Sequence, residues 1–214
     1  MGFFTWVFGR NRPKAIRSAV LNGDVSTIQQ MLQRWPYLSR TEYPGTGGTL
    51  LHDVAYYAHI RGFAQTQSAI CLLLDSGADI NAQAWDGKTA LAIVCQDNSR
   101  ELQTAALLLS RGANPNLLEN TGVSAFHWSV RHRPVTDNGC RFLELMIRHG
   151  ANVNLACSNS ERNPFYCPGA APIHLAVDDL RDPASSIYVG LLLKNGADPQ
   201  ALDSRGRVYT DPVR

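Results

Sequence analysis

Apolar and polar positions along this chain form a pattern that repeats itself. Leu72-Leu73-Leu74-Asp75-Ser76-Gly77-Ala78-Asp79, Leu107-Leu108-Leu109-Ser110-Arg111-Gly112-Ala113-Asn114, Leu145-Met146-Ile147-Arg148-His149-Gly150-Ala151-Asn152 and Leu191-Leu192-Leu193-Lys194-Asn195-Gly196-Ala197-Asp198 are one motif written four times. An apolar triplet, a polar pair and a glycine predict the end of a buried helix, because glycine takes positive φ without a Cβ penalty and turns the chain out of the helix. Helix starts recur in the same rhythm: Thr49-Leu50-Leu51-His52, Thr89-Ala90-Leu91-Ala92, Ser124-Ala125-Phe126-His127 and Ala171-Pro172-Ile173-His174. A Ser or Thr hydroxyl at the first position accepts from free N–H groups of the first turn, and Pro172 sits where a missing N–H costs nothing. Gly47 or Gly48, Gly87, Gly122 and Gly169 precede these starts and predict turns.

A fainter copy lies upstream in Ala19, Asn22-Gly23-Asp24, Ile28, Met31 and Leu32, and Asp203 through Gly206 to Arg214 reads as the opening of a further copy without its helices. The run Gly77-Ala78-Asp79-Ile80-Asn81-Ala82 through Asp86-Gly87-Lys88-Thr89-Ala90-Leu91 resembles the ankyrin repeat. That family's signature is Asp-Gly-x-Thr-Pro-Leu-His, an Ala, a second helix with Leu-Leu, and Gly-Ala-Asp-x-Asn-Ala. The resemblance implies an all-α ankyrin-repeat solenoid of stacked helix pairs with projecting β-hairpin-like fingers. It covers residues 14–214 as one domain of about five repeats plus a truncated C-terminal cap, with residues 1–13 as an aromatic and basic capping segment.

The copies are longer than the family's. Glycines 77, 112, 150 and 196 are separated by 35, 38 and 46 residues, against about 33 for the family. Residues around His59 to Gln67, Arg131 to Asn138 and Asp178 to Ser186 lengthen the link between paired helices, and Ser158 to Pro168 enlarge the finger before the fifth copy. One helix pair cannot bury its apolar face alone, so neighbouring copies must stack. Ala55, Ala92 and Ala176 let helices approach, and Leu72, Leu73, Leu107, Leu108, Leu191 and Leu192 are expected between copies.

By register with the family, the partner-contacting positions of the concave face are Tyr56 and Tyr57 in copy two, Trp85, Lys88, Gln96 and Asp97 in copy three, Arg131 and His132 in copy four, and Asp178 and Asp179 in copy five. Aromatic and Arg side chains are the residue types that dominate interface energetics.

Charge narrows the partner. Twenty Lys and Arg against 18 Asp and Glu give a net charge of +2, which argues against nucleic acid, whose phosphates call for a basic stripe. No apolar run reaches the ~20 residues of a membrane span, and the chain opens without the charged-then-apolar order of a signal peptide, so a cytoplasmic location is expected. Five scattered cysteines without a CxxC pair suggest reduced thiols, although Cys157 and Cys167 flank one insertion.

Candidate chemistry dissolves on inspection. Gly87-Lys88-Thr89 resembles the end of a phosphate loop, but Ala82 stands where that motif needs glycine. His52, His127 and His174 occupy one slot in three copies, so they lie a repeat apart and are expected to bond to neighbouring turns. No HExxH, GxSxG or framed carboxylate pair occurs, and neither a catalytic centre, a metal site nor a cofactor is expected. Phe3, Phe4, Trp6, Val7 and Phe8, followed by Arg10, Arg12, Lys14 and Arg17, suit either a cap over copy one or a membrane interface, and the cap is favoured.

The expected function is non-catalytic: a monomeric module that grips another protein and inhibits or scaffolds it. Similar small ankyrin proteins include kinase inhibitors, immunity proteins and host-targeting effectors. Arg outnumbers Lys 17 to 3, which tilts the expectation toward a bacterial inhibitor or immunity protein; a peripheral membrane adaptor is the alternative.

Overall fold

A computed structural model describes residues 11–96, 102–131, 137–158, 168–177, 185–204, 206 and 208. The regular elements are α1 (Arg12–Asn22), α2 (Val25–Arg34), α3 (Leu50–Tyr56), the single turn α4 (Ala58–Arg61), α5 (Phe63–Asp75), α6 (Ala90–Gln96), α7 (Leu102–Ser110), α8 (Ala125–Arg131), α9 (Asp137–Arg148), α10 (Pro172–Val177) and α11 (Ser185–Lys194). Helix pairs α1/α2, α3/α5, α6/α7, α8/α9 and α10/α11 stack in order. First helices touch first helices, and second helices touch second helices. The first row, α1, α3, α6, α8 and α10, is the more closely packed and is called the inner row.

Local sequence explains the boundaries. Asp24 caps α2 by accepting from the Thr27 N–H at 3.0 Å, and hydrogen bonds from Thr27 and Ser26 hold its carboxyl below the usual range. The glycines ending the second helices at 77, 112, 150 and 196 have φ of 88°, 93°, 86° and 88°. Each is followed by an Ala N–H bonded back into the helix, such as Ala78 to the Leu73 carbonyl at 3.0 Å. That 6→1 bond requires a left-handed residue, which glycine supplies.

The core is a column of layers. Leu73, Leu108 and Leu192 are fully buried between copies, with Phe126, Phe142 and Met146 filling the wider fourth layer. Leu72, Leu107 and Leu191, expected in the same layer, are only half-buried against its edge. Adjacent helical positions diverge by about 100°, so the leucine before each fully buried one turns toward the edge of the layer.

The insertions take definite forms where they are described. His59 to Gln67 becomes the turn α4 and the first residues of a lengthened α5. The Arg61 guanidinium donates to the Val20 and Leu21 carbonyls and tethers this insertion to the end of α1. Residues 132–136, 159–167 and 178–184 lie outside the described residues, as do 1–10 and the tail from 209. Cys157 is buried, and Cys167 lies outside the described residues. Among the described residues no helix is long and apolar enough to cross a membrane.

Candidate functional site

The fingers are held by hydrogen bonds that run from one copy to the next. Trp85 N–H donates to the Thr46 carbonyl, Asn120 N–H to Asp86, Ser158 N–H to Gly122 and Ser204 N–H to Pro168, each at 2.9 Å. Within a finger the turn closes on itself, as in Ala84 N–H to Lys88 O at 2.9 Å and Glu119 N–H to Val123 O at 2.7 Å. Among the described residues these turns contribute isolated bridges, Glu42 with Thr49 and Leu118 with Ser124, rather than strands. The fingers are thus hairpin-like in their turns but short of a sheet.

Three histidines fasten the inner helices to the next finger. Nδ1 of His52, His127 and His174 accepts from the backbone N–H of Thr49, Ser124 and Ala171 at 3.0, 3.1 and 3.1 Å. Nε2 then donates to the carbonyl of Lys88, Leu155 or Ala201 at 2.9, 2.8 and 3.0 Å. Both nitrogens are committed, and the ring must be neutral to accept at Nδ1. Burial pushes the His127 pKa down to about 4, partly opposed by the Leu155 bond. Copy three has Ala92 in this slot; there Gln83 Nε2 donates to Leu118 O at 2.9 Å and joins finger three to finger four instead.

Between the second and third fingers the inner row opens into a cleft of about 170 Å³. Arg17 of α1 and Asp53 of α3 form a bidentate pair on its wall, Nε to Oδ2 at 2.8 Å and Nη2 to Oδ1 at 3.1 Å. The same guanidinium lies 4.2 Å above the Tyr43 ring. Tyr56, Ile93, Asp86 and Lys88 complete the rim, and Lys88 Nζ stands 3.5 Å from Asp86 Oδ2. The Tyr43 hydroxyl is buried without a hydrogen-bond partner, and burial, reinforced by the nearby Asp53 charge, raises its pKa.

A family model described as ankyrin repeats (3 copies) matches residues 61–157, a stretch that contains helices α5 to α9 and His127, one of the three histidines. With five stacked helix pairs and four glycine-stopped motifs, this decides the family. The chain is an ankyrin-repeat protein. Curated relatives include a rice protein named "Probable E3 ubiquitin-protein ligase XBOS32", 29% identical over 62% of this chain and 26% of its own length. The mouse protein named ankyrin repeat and SOCS box protein 16 is 28% identical over 66% of this chain and 30% of its own length. The variola virus ankyrin repeat protein OPG189 is 27% identical over 56% of this chain and 20% of its own length. The chain therefore spans less than a third of these relatives. Ankyrin repeats are, as a family, protein–protein interaction modules, and that much applies to the repeats here.

The ankyrin register places the expected contact residues as follows. Tyr56 ends α3 and is 61% exposed, edge-on to Tyr57 with ring centroids 5.1 Å apart. Tyr57 is half-buried beneath the Arg61 guanidinium, 4.9 Å from the ring centre. Trp85 is 66% exposed at the tip of finger three. Lys88 lies half-buried at the base of that finger, and Gln96 and Arg131 end α6 and α8, half-buried. Asp97, His132, Asp178 and Asp179 fall outside the described residues. The fold gathers Tyr56 and Lys88 on one cleft, with Trp85 between lining residues Ala84 and Asp86; Gln96 and Arg131 do not line it.

Register-based reasoning passed over Arg17, Tyr43, Asp53 and Ile93. Asp53, Ile93, Trp128 and Leu175 are one slot in successive copies, one position past the histidine slot, and stacking makes neighbours of that slot in adjacent copies. Ile60, 66% exposed on the inserted α4, carries no such signal, because an insertion has no register. The buried Glu119, which accepts from Trp128 Nε1 at 2.7 Å and Thr121 Oγ1 at 3.2 Å, was also missed; burial raises its pKa.

Proposed function

We propose that this ankyrin array takes a protein partner into the groove between its fingers and inner helices, and acts by covering part of that partner, as an inhibitor or immunity protein does. The observation that carries this reading is the pair of exposed aromatic residues flanking one cleft, Tyr56 on an inner helix and Trp85 on the adjoining fingertip. Large aromatic side chains held at the solvent contribute contact area at little entropic cost. Trp85 is held: its backbone bonds to Thr46 O at 2.9 Å, and its carbonyl accepts from Asn120 Nδ2 at 2.6 Å. The role is cytoplasmic and needs no metal or cofactor in this reading.

The test begins with a partner captured from the native cell and continues by titration calorimetry with wild type and the combined variant Tyr56→Ala, Trp85→Ala, Arg131→Ala. Each true anchor contributes about 2 kcal/mol or more, so the variant binds at least about a hundredfold more weakly while its circular dichroism is unchanged. Equal affinity with an intact fold moves the site off this face.

A further inference from the structure

Hydrogen-bonding capacity around the cleft is unbalanced. Arg17 commits Nε and Nη2 to Asp53 and keeps Nη1 unused. Lys88 Nζ meets only Asp86, at 3.5 Å. The Tyr43 hydroxyl, on the cleft wall, bonds to nothing. The two carboxylates of the rim are already engaged: Asp53 takes both Arg17 bonds, and Asp86 Oδ1 also accepts from the Lys88 N–H at 3.1 Å. The Tyr43 hydroxyl is buried, so Arg17 Nη1 and Lys88 Nζ are the donors left for an acceptor. The rings of Tyr43 and Tyr56 and the side chain of Ile93 make the walls apolar. Residues 11–61, on one side of the cleft, carry six Lys or Arg against three Asp or Glu.

We propose that this cleft is the socket for a carboxylate side chain, Asp or Glu, presented by the protein partner. Its apolar stem lies against Tyr43, Tyr56 and Ile93, and its charge meets Lys88 and Arg17. The socket rests on the reading that the groove is the binding face, and it specifies what that face recognises. A carboxylate fits better than a neutral carbonyl, because charge-assisted hydrogen bonds to Lys and Arg are about twice as strong as neutral ones. The excess positive charge of the first copies also draws an acidic segment to this end of the groove.

The experiment uses the full chain and a random peptide library displayed on phage, followed by titration of synthetic copies of the enriched peptides. Enriched peptides should carry Asp or Glu at a fixed position beside an apolar residue. Changing that residue to Gln, or Lys88→Met in the protein, should each weaken binding by about tenfold, and Lys88→Met should no longer distinguish the Glu peptide from the Gln peptide. Tyr43→Phe should leave binding unchanged and the denaturation midpoint unchanged or raised, because it deletes a buried hydroxyl that has no partner.

Enriched peptides without a fixed acidic position, or peptides indifferent to Lys88→Met, overturn the socket. If those peptides still lose affinity with Trp85→Ala, the groove reading survives that failure. A library that yields no binder, or binders indifferent to both Trp85→Ala and Lys88→Met, overturns the groove and the socket together.

Discussion

Trp85 rests its indole on the bare backbone of Gly47. A Cβ at Gly47 would lie 2.1 Å from Trp85 Cδ1, and φ there is +63°. Close approach and left-handed backbone both demand glycine at this position. The residue is thus part of the site, since the fingertip of copy three takes its place from the fingertip of copy two.

Gly47→Ala is therefore expected to displace the Trp85 ring and to lower stability by about 1 kcal/mol or more, since alanine is strained where φ is positive. Urea unfolding measures the stability. Comparing partner affinity with that of Trp85→Ala checks the coupling: the two variants should lose binding to a similar degree.

The inner core is expected to be intolerant of truncation. Leu108→Ala removes a fully buried side chain between copies and should cost about 2–5 kcal/mol. Lys88→Ala, on a finger and paired only with the exposed Asp86 at 3.5 Å, should stay within about 0.5 kcal/mol of wild type. Denaturant midpoints of the two variants settle the contrast.

Acid should weaken the array through His127. Its folded pKa is about 4 against an ordinary 6.5, so the unfolded chain binds a proton between those values that the folded chain refuses. The contribution is intact above pH 6.5, falls by about 1.4 kcal/mol per unit below it, and is lost by roughly pH 4, about 3 kcal/mol in all. Urea midpoints of wild type and His127→Asn across that window provide the check, with a shallower pH dependence expected in the variant.

The Arg17–Asp53 pair should show a measurable coupling. The pair is partly exposed, with side-chain exposures of 37% and 15%, so screening keeps it modest, but its bidentate geometry and the Tyr43 ring beneath the guanidinium favour the upper part of the surface range. A double-mutant cycle with Arg17→Ala and Asp53→Ala should return about 0.5–1 kcal/mol, diminished at high salt.

Period and punctuation alone determined the architecture. Four Gly-Ala motifs in register, helix starts with Thr, Ser or Pro, and a histidine repeated in one slot suffice because an array interacts only with its nearest neighbours, so local pattern and global fold coincide. The histidine bonds to the next finger and the buried Leu73, Leu108 and Leu192 were legible for that reason. Family register also placed Tyr56, Trp85 and Lys88 at a binding face, but it could not say that a cleft joins Tyr56 to Lys88. That depended on tertiary structure: how far Arg17 swings to reach Asp53, how Tyr43 is covered, and how closely Trp85 settles on Gly47. These are side-chain contacts between residues 26 to 38 positions apart, and no spacing rule encodes the direction a side chain takes once its neighbours in the next copy compete for the same space. The inserted α4 with its exposed Ile60 lay further still from the sequence, because it departs from the repeat that made everything else readable.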